Sequence, residues 1–409
     1  MKKFLLTACA VLFSTVTFAQ QALFGAAQIV SPQVNADNTV TFRYKDAKAV
    51  RVQITGDFLP ETEIEIPNFG KMATAGSADL VEKDGVWEFT TPAPLASEYY
   101  TYSFIVDGQK TTDPANVYIN RDVATVTNYF IIKNAAGDKG DLYSINKVPH
   151  GTVRKMWYYS PELGKNRRLT VYTPAGYETS GKKYPVFYLL HGAGGDEEAW
   201  YTQGRTTQIL DNLIASGKAE PMIVVMTNGN AWQTAAPGES VEGFAQPSMG
   251  MGGTTNVKEA AFELHFPDVI NFIQKNFRTY TDKKHRAIAG LSMGSFHSEN
   301  ISKYYPTMFN YVGLFSGANV GGGLGNAPAT SDVYTDFDKK MAIQFSAKNA
   351  PALYMICCGK TDFVKKGVDD LRAYMTEHNY PFEYMETEGG HIWRNWRVYL
   401  STFAPRLFK

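Results

Sequence analysis

The five residues 290–294, Gly-Leu-Ser-Met-Gly, constrain the fold of this 409-residue chain more than any other stretch. They stand between a short apolar run, 286–289, and a segment, 295–305, that is compatible with a helix. Glycines two residues before and two residues after a serine permit a turn too tight for larger side chains. Between a strand and a helix, such a turn predicts a Ser292 hydroxyl lifted clear of a sheet, where a base can reach it. The alternative interpretation is a glycine-rich turn around a buried serine.

Length and charge bound the class of protein. The chain of 409 residues is long enough for two or three domains, each with its own core. Lys+Arg and Asp+Glu both number 40, so no basic surplus indicates binding of nucleic acid. The histidines lack the spacing of zinc ligands, and we predict neither a metal nor an organic cofactor.

The first residues have the pattern of a secretory signal. Lys2 and Lys3 precede an apolar stretch, 4–13, that is too short to span a bilayer, and residues 17–19 predict cleavage before Gln20. We therefore expect a signal peptide over 1–19, export to the periplasm or the medium, and no membrane span. Lipoprotein cleavage at Cys9 is the alternative, although few apolar residues precede it.

Residues 20–135 have the pattern of short strands separated by turns. Alternating runs cover 39–44, 50–54, 100–106 and 126–132, and turn pairs such as Asp107-Gly108 lie between strands. Strands at this spacing without a helical period predict a β-sandwich of about a hundred residues.

The pattern changes after a small, polar, glycine-containing stretch, 136–147, which we take as a linker. In the remaining domain, 148–409, the runs 185–190, 222–226 and 352–358 are almost wholly apolar, as in strands buried on both faces of a parallel sheet. Amphipathic helical stretches alternate with them. The prediction is an α/β fold with a doubly wound, mostly parallel sheet, preceded by the small all-β sandwich.

Candidate partners of Ser292 follow from their order in the chain. In α/β-hydrolases, which have a sheet of this kind, the acid and then the histidine follow the serine. His391 comes after two glycines in a loop, whereas His378 ends a predicted helix, where capping explains it. His391 is therefore the predicted base.

The predicted acid is Asp362, at the exit of the strand over 353–358, where it would fix the tautomer of the histidine. The competing carboxylates lie in the loop before that strand or in the helix after it: Asp332, Asp336, Asp338, Asp369 and Asp370. Two backbone amides should receive the developing oxyanion, one of Met293 and one from the loop 190–195. His191 is interpreted as structural support for that loop.

With these residues in place, the segment 148–409 resembles carbohydrate esterase family 1, the esterase D-like branch of the α/β-hydrolases. The matching stretches are 148–153, 189–192, 204–205, 288–294, 358–362 and 389–393. The resemblance implies a triad of Ser292, Asp362 and His391, with oxyanion amides of Ala193 and Met293. The chain departs from the family at 295–297, where Ser-Phe-His stands in place of further glycine, so the acyl pocket should differ in shape.

The N-terminal stretches 56–58, 84–87 and 113–116 resemble an early-set immunoglobulin-like module related to glycogen-binding domains. That resemblance implies a sugar platform of Trp87, Tyr100 and Tyr102; the alternative places these residues in the core and surface of the sandwich. We expect that deleting the module leaves the hydrolysis of small soluble esters little changed.

Together the resemblances imply a secreted serine esterase acting on plant cell-wall polysaccharide. Family members with this domain order resemble feruloyl esterases, which release ferulic acid from arabinoxylan, and we expect a feruloylated or acetylated polysaccharide or oligosaccharide as partner. Acetylxylan esterase is the alternative within the class. An inactive carbohydrate-binding protein and a serine peptidase are alternatives outside it; the complete triad argues against the first, and the lack of a peptide-specificity insertion argues against the second.

A long loop, 228–256, should pass over the edge of the sheet where Ser292 emerges. Its apolar and thioether side chains would suit a planar aromatic acyl group, and we predict substrate contacts for Trp232, Phe244, Met249 and Met251. The alternative is a surface loop that contacts nothing.

Overall fold

The computed structural model describes residues 29–66, 70–240, 261–321 and 331–409. The predicted signal peptide, 1–19, including Cys9, lies outside these ranges. Within them, no helix combines the length and the apolar character needed to cross a membrane. The described chain forms an antiparallel sandwich followed by a mixed sheet flanked by helices, as the sequence predicts.

The sandwich is built from short strands in which buried and solvent-facing residues alternate, as in β3, where Val52, Ile54 and Gly56 are buried. The strands are β1 (Gln33–Val34), β2 (Val40–Lys45), β3 (Val52–Gly56), β4 (Thr62–Ile66), β5 (Gly70–Thr74), β6 (Ser77–Asp79), β7 (Val81–Lys83), β8 (Val86–Thr90), β9 (Glu98–Val106), β10 (Gln109–Thr111), β11 (Ile119–Asp122) and β12 (Thr125–Ile132). One sheet has the order β1-β2-β8-β7 and a second has the order β11-β12-β9-β3-β6, with β10 paired to β9. Strands β4 and β5 form a separate antiparallel pair.

The core of the sandwich is aromatic, with Phe42 packed edge-on against Tyr102 and Phe130 at centroid distances of 4.9 and 5.5 Å. Tyr100 and Tyr102 are buried members of this core, so they do not form a sugar platform. Trp87 packs against the same core and donates its indole N–H to the carbonyl oxygen of Asp46 at 2.9 Å. The alternative interpretation of these aromatic residues, as sandwich core, is therefore the correct one for both tyrosines.

The second part contains one eight-stranded sheet of the order β13-β14-β16-β15-β17-β18-β19-β20. Strand β14 pairs antiparallel with both of its neighbours, β13 and β16, and the strands from β16 to β20 run parallel. The central strands are buried along their whole length, as their apolar runs predict. The strands are β13 (Thr152–Ser160), β14 (Lys165–Thr173), β15 (Val186–Leu190), β16 (Ile223–Thr227), β17 (Arg286–Leu291), β18 (Tyr311–Phe315), β19 (Leu353–Gly359) and β20 (Glu383–Thr387).

Helices cover both faces of this sheet and bury their apolar sides in two core clusters. Among the described residues they are α1 (Lys139–Tyr143), α2 (Ala199–Thr202), α3 (Thr206–Ala215), α4 (Ala261–Leu264), α5 (Phe266–Asn276), α6 (Met293–Tyr304), α7 (Phe337–Gln344), α8 (Lys365–Glu377) and α9 (Trp393–Phe403). Helix α9 follows His391 directly, and its buried residues include Trp396, Tyr399, Leu400 and Phe403.

The two parts share a hydrophobic core. Helix α1 lies inside the predicted linker, and its Tyr143 is fully buried in a cluster that also contains Tyr99 of the sandwich and Phe187 of the central sheet. The side-chain amide of Asn212 in α3 donates to carbonyl oxygens of α1, including that of Leu142 at 2.8 Å. This shared core argues against the expectation that the sandwich can be deleted without effect on the hydrolysis of small esters.

Candidate active site

Ser292 occupies a strained turn between β17 and α6, with φ 53° and ψ −118°. A Cβ on Gly290 would come within 2.4 Å of the backbone of Gly294, and a Cβ on Gly294 within 2.5 Å of the carbonyl oxygens of Leu190 and His191. Only glycine fits at both positions, because such contacts are closer than any real Cβ makes. The backbone N–H of Ser292 donates to Phe315 O at 2.9 Å, which fixes the turn against β18.

His391 and Asp362 are hydrogen-bonded to each other. The ring Nδ1 of His391 lies 2.9 Å from Asp362 Oδ1, and the carboxylate side chain is fully buried. The amide of Val364 also donates to Oδ1, at 3.1 Å. A buried carboxylate facing Nδ1 favours the tautomer that carries its proton there, which leaves Nε2 free to accept a proton.

Aromatic rings hold the imidazole of His391 on two sides. The ring of Phe363 lies 4.4 Å away between centroids, and the indole of Trp396 meets the imidazole edge-on at 5.0 Å. Trp396 in turn donates its indole N–H to Ser316 Oγ at 3.1 Å, just after β18. The orientation of the histidine is thereby tied to the same strand that fixes the turn at Ser292.

The loop after β15 contains the predicted oxyanion donor Ala193 and is fixed by His191. The imidazole Nε2 of His191 accepts the N–H of Gly229 at 2.8 Å, and Nδ1 lies 2.7 Å from the carbonyl oxygen of Gly192. Burial lowers the pKa of His191 to about 4, so the ring is neutral and its Nδ1–H donates to Gly192. His191 therefore acts as the structural support that its position in the sequence predicts.

A buried carboxyl group ties the loop after β16 to the residues that follow the Ala193 loop. Glu197 accepts the backbone N–H of Ala236 at 2.9 Å and the side-chain amide of Asn228 at 3.0 Å. Burial raises the pKa of Glu197 to about 7. Asn230 adds a second connection, because its side-chain amide donates to Gly195 O at 2.9 Å.

Ser292 and His391 open into one cleft of about 500 Å³ that both parts of the chain line. Ala193, Leu291 and Trp393 contribute to the wall on the side of the large sheet. The sandwich contributes residues of β9, β11 and the turn after β3: Asp57, Thr101, Asn120, Arg121 and Asp122. The wall from the sandwich is rich in carboxylate, amide and hydroxyl groups, which can hydrogen-bond a polyhydroxylated ligand.

The structure places some of the predicted site residues at the cleft but not others. Ala193, Ser292 and His391 line the same cleft, and Asp362 is hydrogen-bonded to Nδ1 of His391. Met293, whose backbone N–H is the other predicted oxyanion donor, is the first residue of α6. Trp232 is half-buried and is not among the described residues that line the cleft. Phe244, Met249 and Met251 lie outside the described residues.

Sequence reasoning missed the residues that join the two parts of the site. Arg121 forms an ion pair with Asp196 at 2.5 Å, the indole N–H of Trp393 lies 3.5 Å from Asp122 Oδ1, and Arg397 donates to Tyr99 O at 3.1 Å. The one available signal was the density of tryptophan and arginine in the helix directly after His391, which the amphipathic pattern alone does not explain. In the described part of the chain, no group of histidine, cysteine and carboxylate side chains is arranged to hold a metal ion.

Comparison with known proteins places the chain in a family. The family model described as "Putative esterase" matches residues 160–407. An endo-1,4-beta-xylanase/feruloyl esterase from Xylanibacter ruminicola is 30% identical over 396 residues, which is 92% of this chain and 46% of that protein. The chain spans about half the length of the curated relatives it matches.

Solved structures with the same fold include a CE1 ferulic acid esterase from Anaeromyces mucronatus, with a TM-score of 0.51 and 24% identity over 65% of this chain and 93% of that one. The enterobactin esterase of Shigella flexneri has a TM-score of 0.58 and 15% identity, and the match covers 90% of this chain and 93% of that one, so the likeness in fold extends over both parts. The family resemblance drawn from the sequence motifs is confirmed: this chain belongs to the esterase family of α/β-hydrolases.

Proposed function

We propose that the protein is a feruloyl esterase that uses Ser292, His391 and Asp362 as its catalytic triad. The observation that carries the proposal is the hydrogen bond between His391 and the buried Asp362 at the wall of the cleft into which Ser292 opens. Nε2 of His391 takes the proton of the Ser292 hydroxyl as its oxygen attacks the ester carbonyl. The alcohol then leaves with that proton, and water activated by His391 releases the acid from the acyl-enzyme.

The oxyanion of each tetrahedral intermediate is held by the backbone amides of Ala193 and Met293 in this proposal. Met293 stands at the N-terminus of α6, where the partial positive charge of the helix adds to the hydrogen bond. The neutral His191 adds no competing charge to the loop. No metal or organic cofactor enters this mechanism.

The proposed substrate is a ferulate ester on a plant polysaccharide. Two observations support it: the Xylanibacter ruminicola relative is named as a xylanase and feruloyl esterase, and the sandwich wall of the cleft has the hydrogen-bonding groups that a sugar requires. The ester would thus present its acid towards the sheet and its sugar towards the sandwich. We extend the proposal to export through the signal peptide at 1–19, an immunoglobulin-like module over 20–135, and an esterase domain over 148–409.

The acyl group is proposed to contact the loop 228–256. The described stem of this loop, up to residue 240, is tied by Glu197 and Asn230 to the loop that contains Ala193. Trp232, Phe244, Met249 and Met251 are the residues proposed to recognise the aromatic ring, since a planar aromatic acid buries more apolar area than an acetyl group.

The proposal is tested by steady-state hydrolysis of three substrates: methyl ferulate, 4-nitrophenyl acetate and acetylated xylan. We expect kcat/KM for methyl ferulate to exceed that for the acetyl esters and ferulate to be released from feruloylated arabinoxylan, with all rates lost in Ser292→Ala. Faster release of acetate from xylan would replace the feruloyl assignment with the acetylxylan one. Hydrolysis that survives in Ser292→Ala would overturn the triad.

A further inference from the structure

The loop that contains Ala193 is anchored from three directions. His191 fixes its start through Gly229, and Asn230 holds Gly195. The third anchor is Asp196, the residue directly after Gly195, whose side chain is 1% exposed. One oxygen of this carboxylate accepts the backbone N–H of Glu198 at 2.9 Å.

The cation that neutralises Asp196 comes from the other part of the chain. Arg121, on β11 of the sandwich, donates from Nη2 to Asp196 Oδ2 at 2.5 Å. The same strand is tied a second time, since the side-chain amide of Gln203 lies 3.4 Å from Arg121 O. Arg121 is itself held by its strand, where its backbone pairs with Val126 of β12.

Loss of the ion pair between Arg121 and Asp196 should cost free energy, because the carboxylate is buried. A carboxylate as buried as Asp196 cannot be solvated, and loss of its cation leaves an uncompensated buried charge. The rearrangement that costs the least free energy is a movement of the loop that lets water reach the carboxylate. The segment that would move begins three residues after Ala193, whose amide must stay within hydrogen-bond distance of the developing oxyanion.

We propose that Arg121 of the sandwich is a positioning residue for catalysis, which holds the Ala193 amide in the oxyanion hole through its ion pair with Asp196. The inference rests on the proposed function in one respect, the assignment of Ala193 as an oxyanion donor. It gives the sandwich a part in the chemical step in addition to lining the cleft.

The variants Arg121→Gln, Asp196→Asn and the double variant test this, with Arg51→Gln as matched control. Arg51 makes a comparable 2.7 Å pair with Asp79 in the same sandwich, but both side chains are more than half exposed. In Arg121→Gln we expect kcat to fall about 10- to 100-fold on methyl ferulate and 4-nitrophenyl acetate alike, with KM within about twofold, because a small misplacement of a catalytic group has effects of this size. The double variant should regain most of the lost kcat, since it removes the buried charge together with its cation.

A second readout reports the oxyanion hole directly. Phenylboronic acid forms a tetrahedral, negatively charged adduct with a reactive serine, so its inhibition constant should rise in Arg121→Gln by about the factor by which kcat falls. Should Arg121→Gln fail to fold by circular dichroism, the double variant is compared with wild type instead. Recovery of the fold and of most of kcat would support the ion pair, because the two changes together remove the buried charge and its cation, and a double variant that fails to recover would overturn the inference.

Three outcomes would overturn the inference: an Arg121→Gln enzyme with the kcat of Arg51→Gln, a loss that appears in KM alone, or a double variant as slow as the single one. A wild-type protein without esterase activity would contradict the proposed function instead, so the two failures are distinguishable.

Discussion

Arg397, on the helix that follows His391, donates to the carbonyl oxygen of Tyr99 in the sandwich at 3.1 Å and lies 4.6 Å above the ring of the same tyrosine. Its side chain is 1% exposed, and it also donates to Gln203 O and pairs with Glu98 at 3.6 Å. A single buried arginine thus joins the sandwich to the helix next to His391, the proposed catalytic base.

Replacement of Arg397 by Met should lower the free energy of unfolding by about 3–5 kcal/mol. The change leaves the buried carboxylate of Glu98 with only the half-exposed Lys139, at 3.7 Å, and it removes the hydrogen bonds to the carbonyl oxygens of Tyr99 and Gln203. Urea unfolding followed by fluorescence measures the change. Arg406→Met is the control: Arg406 makes a bidentate pair with Glu383, but both are about half exposed, so the cost should stay below about 1 kcal/mol. Equal costs in the two variants would mean that Arg397 contributes no more than a surface ion pair.

Deletion of residues 20–135 should give a protein that is insoluble or unfolds at a markedly lower temperature. The deletion removes Tyr99 from a cluster it shares with Tyr143 and Phe187, and exposes apolar surface that is buried in the whole chain. Thermal unfolding of the truncated and whole proteins is the measurement. A soluble truncated protein with an unchanged Tm would show that the shared cluster is not needed for stability.

Loss of the proposed nucleophile, Ser292, should have the largest effect on turnover. Ser292→Ala is expected to lower kcat by about 10⁶-fold and Asp362→Asn by about 10⁴-fold, because the second change misorients His391 but leaves the serine in place. Asp370→Asn, which alters an exposed carboxylate paired with Lys366, should retain the wild-type rate. Initial rates on a nitrophenyl ester give all three values, and a slow Asp370→Asn enzyme would reopen the choice of acid.

The glycine of the turn after Ser292 should tolerate no side chain. Gly294→Ala would drive a Cβ to within 2.5 Å of two backbone carbonyl oxygens, and we expect a loss of about 3 kcal/mol or more, or no folded protein. At Gly181 an added Cβ meets nothing within 4 Å, so Gly181→Ala should unfold like wild type. Denaturant midpoints compare the two, and a stable Gly294→Ala protein would contradict the geometry of the turn.

Glu197 should make stability depend on pH. Burial raises its pKa from 4.5 to about 7, so between these values the unfolded chain releases a proton that the folded chain keeps. The contribution of this group to stability is fully present below about pH 4.5 and is lost as pH rises through 7, a change of about 3 kcal/mol. Glu197→Gln lacks this decline, so its free energy of unfolding relative to wild type should improve between about pH 5 and about pH 8.

Urea unfolding at the two pH values gives the comparison for Glu197. The control is Glu239→Gln, since Glu239 has a half-exposed side chain that contacts the same Arg168 as Glu197. Its pH dependence should match that of wild type, and parallel curves for all three proteins would contradict the assignment to Glu197.

The candidate site residues that can be proposed from the sequence are those with a local signature. Ser292 lies between two glycines that only a tight turn requires, His391 follows two glycines, and Asp362 comes at the end of an apolar strand. The central strands could be predicted equally well, because their almost wholly apolar composition is typical of strands buried on both faces.

What the sequence could not predict depends on contacts between distant segments. Asp196, Glu197 and Glu198 look like a solvated run of charge, yet the fold buries the first two, and the cation that pairs with Asp196 stands 75 residues earlier. In β9 the side chains alternate, so Tyr100 and Tyr102 enter the sandwich core while Tyr99 faces the other part of the protein. The local sequence of β9 does not indicate which of its faces packs in the sandwich core and which packs against the second part of the chain.

The contact between Arg397 and Tyr99 closes a separation of 298 residues, which has a consequence for biosynthesis. At typical rates of translation, the ribosome needs about 15–60 s to make the chain between these residues. During that time the face of the sandwich around Tyr99 has been made, but the helix that covers it has not. The nascent protein therefore carries an uncovered aromatic face for most of its synthesis, and such a face is a natural binding site for a chaperone.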